Sequence, residues 1–214
     1  MVLHEELMLL FINRQNGKLH VDSASADNAL AGAVLIELVS SGRVAFEPTG
    51  KKLQVVDPAP LADPLLRESV ARIDKPMSPR KAVERLRKRV RDNVLADLEA
   101  RGAVRVDARR VLGIFPGRSY VITDERADDE VRKAVGEVVH GYRGADARTG
   151  SLITLLHAAN AVHRVFEGDK RELKRRAGEI AAGNWAGDAV RKAIQAIQAG
   201  VAAATAAAAA ASAG

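Results

Sequence analysis

The chain has no cysteine among its 214 residues, one tryptophan, and only 3% aromatic residues. Without thiols there are no disulfides, no thiolate metal sites and no redox chemistry at sulfur, a composition that fits an intracellular location. No apolar run approaches the roughly 18 residues that a spanning helix needs. The N-terminal MVLHEELMLLFINRQNGK puts acids ahead of its short apolar stretch, where a signal peptide carries basic residues. Any membrane contact is therefore expected to be peripheral. The motifs GxxxxGK[ST], HExxH and GxSxG are missing, and PTGKK at 48–52 lacks both the first glycine and the hydroxyl residue of a phosphate loop. The expectation is a protein that is not an enzyme and has no cofactor and no metal site. No Pro/Gly/Ser-rich linker divides the chain, so residues 1–201 are read as one domain, large enough to bury a core without staples. The alanine-rich 202–214 is read as a tail, helical or frayed.

What the chain has is positive charge, with a formal net charge of +6 and a pI near 9.8. That balance favours an anionic partner, nucleic acid or acidic lipid, and its sign does not choose between them. Periodicity is mostly helical. Glu5 to Ile12 puts Leu7, Leu10 and Phe11 on one face, and Asp27 to Ser40 is apolar nearly all round, as a buried central helix should be. Val44 to Asp57 reads as a hairpin around Pro-Thr-Gly. Asp63 before Pro64 and Ser78 before Pro79 each pair an N-cap with proline at the first helical position. The second of these opens a helix expected to run unbroken to Gly102. A second hairpin spans about Val104 to Ile122, Asp124 caps a helix towards His140, and Ser151 to Phe166 reads as one more buried helix. A charged helix and a last amphipathic helix follow. The fold class is mainly α: a single-domain helical bundle with short β-hairpins, one of them protruding.

The helix from Pro79 carries the densest charge. At about 100° per residue, Val83, Leu86, Val90 and Val94 form the buried stripe, while Arg80, Lys81, Arg87, Lys88 and Arg91 cover the adjoining arc, opposed only by Glu84. Lys88 and Arg91 are three apart, and Arg87 and Arg91 four, so two or three cations can converge on one phosphate-sized anion. A charge run taken alone is most often a solvated surface. The second hairpin adds weight, because its strands flank GIFPG and place Leu112, Ile114 and Phe115 at or near the turn. An apolar tip of that kind either docks on the domain or a second subunit, or inserts into a bilayer interface beside Arg109, Arg110 and Arg118.

Six segments, EELMLLFINRQNGKL, ALAGAVLIELVSSGRV, DPLLRESVARI, RLRKRVRDNVLADLEARGAV, VLGIFPGRSYVI and DARTGSLITLLHAANAV, occur in the order of the Golgi phosphoprotein 3 family. The chain resembles that family over most of its length, and looks like its bacterial, actinobacterial-type members, which are shorter at the N-terminus. The resemblance implies a mainly helical domain with a protruding hairpin. It further implies binding of phosphatidylinositol 4-phosphate at a membrane surface, membrane-protein clients, and self-association through the 104–122 hairpin into a homo-oligomer. Carried over position by position, two arginines of the family's lipid pocket fall on Lys88 and Arg91, both cationic here. The pocket's tryptophan and third arginine fall on Asp22 and Ala31, so an aromatic wall and a cation are replaced, and lysine at 88 lacks arginine's bidentate fork. His20 and Arg14 are candidates to compensate.

Helix, helix and hairpin over residues 5–57 also resemble a winged-helix DNA-binding module. Its recognition helix would need exposed Arg, Lys, Asn or Gln, but Ser25 to Ser41 holds no Lys or Arg and only Asn28 is suitable. The alternative is kept as a winged-helix-like nucleic-acid-binding protein or an assembly adaptor without lipid specificity. His157 and His163, read on one helix, fall on different faces and suit core or surface roles better than a ligand pair. Trp185 in GNWAG reads as a packing anchor, and Asp128, Asp129 and Glu130 as stabilisers of their helix's first turns. His4, His20 and His140 have no evident partner. The sequence thus points to a peripheral membrane protein on the cytoplasmic face, engaging anionic headgroups through Arg87, Lys88 and Arg91 and inserting Leu112, Ile114 and Phe115 beside Arg118.

Overall fold

A helix apolar on every side has to be surrounded, and the computed structural model places the segment expected to be central at the middle of the molecule. Residues 1–111, 115–183 and 188–212 are described, those at 108–111, 115–117, 188–193 and 212 by their backbone alone. Helix α2 (Ser23–Ser40) is capped by Asp22, whose carboxylate accepts from the Ser25 amide. It buries residues on all sides, from Ala26 through Leu38, against α1 (Leu3–Phe11), α3 (Pro64–Arg72), α7 (Ala147–Ala158) and α10 (Asp188–Ser212). This burial removes it as a DNA-reading helix, since base edges must be reached from an exposed face.

The remaining elements cover α2. The hairpin β1 (Val44–Phe46) and β2 (Leu53–Val55) is antiparallel, with Ala45 opposite Gln54. Asp63 and Ser78 cap α3 and α4 (Pro79–Leu86), each with proline in the first turn. Next come α5 (Val90–Ala100) and the long hairpin β3 (Val104–Val111) and β4 (Phe115–Ile122), paired from Val104↔Ile122 outward to Val111↔Phe115. Helices α6 (Glu125–Val139), α8 (Val162–Val165) and α9 (Lys170–Ala182) complete the bundle. With ten helices and two two-stranded sheets among the described residues, the domain is mainly α.

The structure departs from the periodicity in three places. The helix expected over 79–102 is two helices separated by a turn at 87–89, with Arg89 in the left-handed region at φ 64°. The break lets α4 bury Val83 and Leu86 against α2 and α10 while α5 buries Val94 and Leu98 against α1 and α2. The helix expected over 151–166 begins at Ala147 and ends at Ala158, with Asn160 at φ 53° turning the chain into α8. His157 and His163 therefore belong to different helices.

The third departure is α10. Its window Ile194–Ala211 has 18 residues and a mean hydropathy of 1.4, which meets the length and hydropathy of a spanning segment where none was expected. Ile194, Ile197, Val201 and Ala204 are nevertheless buried in the layer that α10 forms with α2, α4 and α7, and the helix continues to Ser212. Gly32 makes this crossing possible, since a Cβ there would lie 2.7 Å from Val201 and 2.8 Å from Leu155.

Candidate functional site

The turn at 87–89 collects the charge. Arg87 closes α4 in the helical region, Lys88 follows, and Arg89 takes the left-handed conformation before α5 resumes at Val90. An arginine in that region costs on the order of 1–2 kcal/mol relative to right-handed backbone. Arg72 supports the turn by donating from Nη1 to the Lys88 carbonyl at 3.1 Å. All three basic side chains are exposed, and among the described residues none of them makes a salt bridge.

Arg91 lies just inside α5, with 19% of its side chain exposed, and its Nε is 3.5 Å from Asp27 Oδ1 on α2. Neither atom has a hydrogen-bond partner. Burial raises the Asp27 carboxyl above its ordinary pKa, an effect that Arg91 and Arg87 oppose. Arg91 opens into a groove of about 470 Å³ whose walls include Lys18, Asp22, Asp92, Arg118 and Tyr120. Arg118, on β4, donates to Asp92 at 2.6 Å.

The groove sits at the root of the long hairpin. The Tyr120 amide donates to the Gly17 carbonyl at 2.8 Å, tying β4 to the loop that carries Lys18. Gly17 has φ +66°, and a Cβ on it would collide with Ser119 and stand 3.0 Å from the Tyr120 carbonyl. This position requires glycine on both counts.

Of the residues expected at the site, Arg91 lines the groove, and Arg87 is not one of its walls. Lys88 is on the exposed turn rather than on one helix with Arg91. Arg118, expected beside the hairpin tip, is instead a wall of the groove. Asp22 is in the groove with its carboxylate committed to Ser25 N (2.9 Å) and Oγ (2.6 Å). Burial pushes Asp22 upward, but these hydrogen bonds outweigh it and hold the carboxyl below its ordinary range. Ala31 is wholly buried on α2 and contributes no wall. Leu112 and Ile114 lie outside the described residues, as do the Phe115, Arg109 and Arg110 side chains and Trp185.

Arg14 does not compensate at this groove, because it donates to Asp128 at 2.5 Å and Asp129 at 2.6 Å. Asp128 is more than a first-turn stabiliser. It is fully buried and takes Arg132 Nε at 2.9 Å, while Arg132 Nη2 donates to the carbonyls of Leu9 and Ile12, each at 2.8 Å. This cluster fastens α6 to the end of α1. His4 is also fully buried and lies 3.7 Å from Asp63, a partner that sequence spacing could not reveal. Lys18 and Arg118 were likewise invisible as groove residues, since both depend on the long-range pairing of Gly17 with Tyr120.

Fold and site together define a mainly helical domain with a basic turn and a cationic groove at the base of a β-hairpin. The Golgi phosphoprotein 3 (GPP34) family profile matches residues 3–197, and the chain belongs to that family. No curated protein matched the sequence.

Proposed function

We propose that this protein is a peripheral membrane protein that binds anionic phospholipid headgroups, and phosphatidylinositol 4-phosphate by its family membership, without catalysing a reaction. The observation that carries the reading is the state of the cations: among the described residues, Arg87, Lys88 and Arg89 are exposed without salt bridges, and Arg91 Nε is shielded with no hydrogen bond. Unspent donors beside a groove suit a phosphate group, which accepts several charge-assisted hydrogen bonds. In this reading the basic turn meets the acidic cytoplasmic leaflet, and Arg87 and Lys88 engage a headgroup phosphate. Arg91, relieved of Asp27, donates from the groove wall. The Leu112, Ile114 and Phe115 tip inserts shallowly, while Arg118 stays in the groove wall. With Asp22 in the groove, general attraction to anionic lipid accounts for most of the affinity.

Co-sedimentation with liposomes at physiological salt tests this. Vesicles of neutral lipid, of phosphatidylserine, and of phosphatidylinositol 4-phosphate matched in charge are compared for the parent and the Lys88→Ala, Arg91→Ala double variant. Binding to both anionic mixtures, strongest for the phosphoinositide and reduced in the variant, is expected. Equal binding to the anionic mixtures would remove the phosphoinositide preference, and binding no better than to neutral vesicles would sink the proposal. A combined Ile114→Asp, Phe115→Asp change should weaken binding without altering headgroup preference.

A further inference from the structure

The loop that carries Lys18 borders a second groove, of about 460 Å³, walled by Arg14, His20, Arg132, His163, Arg164 and Phe166. Its architecture follows from the break at Asn160, whose left-handed backbone ends α7 and turns α8 so that His163 and Arg164 reach the groove. Arg164 Nη1 donates to the His20 carbonyl at 2.9 Å, joining α8 to the loop.

The cations here divide into two kinds. Arg14 and Arg132 are spent on Asp128 and Asp129. Arg164 is exposed and makes no salt bridge among the described residues. Among the described residues His163 Nδ1 is buried with no hydrogen-bond partner, and Glu167 is the acid among the walls. Burial, with Arg132 and Arg164 nearby, lowers the pKa of His20; burial, with Lys170, Lys174 and Arg164, lowers that of His163. Both rings thus favour their neutral forms, and a dianion between them reverses that balance.

We propose that this groove is a second anion-binding site that takes a phosphomonoester, with Arg164 and the His20 and His163 rings as donors and Phe166 as the apolar wall. A phosphomonoester suits the donor set because its second ionisation falls near pH 6, where two imidazoles can share its proton. The group can come from a soluble metabolite or a phosphomonoester lipid. The site stands independently of the headgroup reading, because it uses none of Arg87, Lys88 or Arg91.

The test is an NMR titration with glycerol 3-phosphate, following the histidine ring signals of the parent, of Arg164→Ala, of His163→Gln, and of the Lys88→Ala, Arg91→Ala variant. The His20 and His163 signals should move and their pKa values rise. Affinity should fall about ten-fold in Arg164→Ala, for loss of a charged hydrogen bond, and fall in His163→Gln, while the Lys88→Ala, Arg91→Ala variant matches the parent. Vesicles containing phosphatidic acid separate the sources: weaker binding by Arg164→Ala than by the parent assigns the site to lipid, and equal binding assigns it to a soluble phosphomonoester. Ring signals that stay still at millimolar glycerol 3-phosphate, or an Arg164→Ala variant that binds like the parent, would overturn the proposal.

Discussion

Arg132 and Arg91 are shielded to nearly the same degree, with 16% and 19% of their side chains exposed, and their guanidinium groups are used in opposite ways. Arg132 is heavily committed, with both Asp128 oxygens on Nε and two main-chain carbonyls on Nη2. Arg91 has one ion pair at 3.5 Å and a shielded Nε without a hydrogen bond. Burial alone therefore does not mark a functional cation. What separates the two is how the fold uses Nε: that of Arg132 is spent on Asp128, and that of Arg91 is kept for a ligand.

The comparison is sharpest if the two arginines fail differently. Arg132→Ala should cost about 2–3 kcal/mol, because buried Asp128 keeps Arg14 but loses its second charged partner, and the Leu9 and Ile12 carbonyls lose their donor. Urea denaturation would read this, and a loss no larger than that of Arg91→Ala would collapse the distinction.

His4 extends the series to a buried ring with no hydrogen bond among the described residues. Burial lowers its pKa from 6.5 to about 4, with Asp63 opposing and Arg101 reinforcing the shift. The unfolded chain then takes up the proton first, so this stability is complete above pH 6.5 and is lost as pH falls towards 4. Its full loss amounts to about 3 kcal/mol. Denaturation of the parent and His4→Leu across that range should show a flatter pH dependence in the variant, and parallel curves would exclude His4 as the cause.

The Lys88→Ala, Arg91→Ala pair is the converse of Arg132→Ala. Each basic residue near an acidic membrane contributes about 1 kcal/mol, so vesicle affinity should drop on the order of tens of fold, while stability changes by less than about 1 kcal/mol. The smallest effect belongs to Arg89→Gly. Relief of the left-handed backbone, partly offset by glycine's unfolded-state entropy, should stabilise the protein by about 0.5–1 kcal/mol. Asn160→Gly should change stability less, since asparagine tolerates that region. Equal gains at both positions would show that Arg89 carries no special strain.

The sequence displayed what is local. The caps at Asp22, Asp63, Ser78 and Asp124 are short-range hydrogen bonds, although Asp22 was singled out for its place in the family rather than as a cap. The all-round apolar character of α2 announced its burial. The breaks at Arg89 and Asn160 were hidden because no glycine or proline marks them, and the apolar period continues in phase across each. They exist because the two halves pack on different partners. The groove was half legible: the basic run identified Arg87, Lys88 and Arg91, but Lys18 and Arg118 join it only through the pairing of β4 with the Gly17 loop. The buried Asp128 cluster read as simple helix-terminus charge because its partner Arg14 is far away in sequence.

The contact of Gly32 with Val201 has a consequence for how the molecule is made. The central helix ends at Ser40 and α10, one of its covering layers, begins only at Asp188, so α2 stays partly uncovered until synthesis has delivered α10. Such a pairing between distant parts of the chain is slow to close. Completion of this core is therefore a late event in folding, and the nascent chain exposes part of its central helix until then.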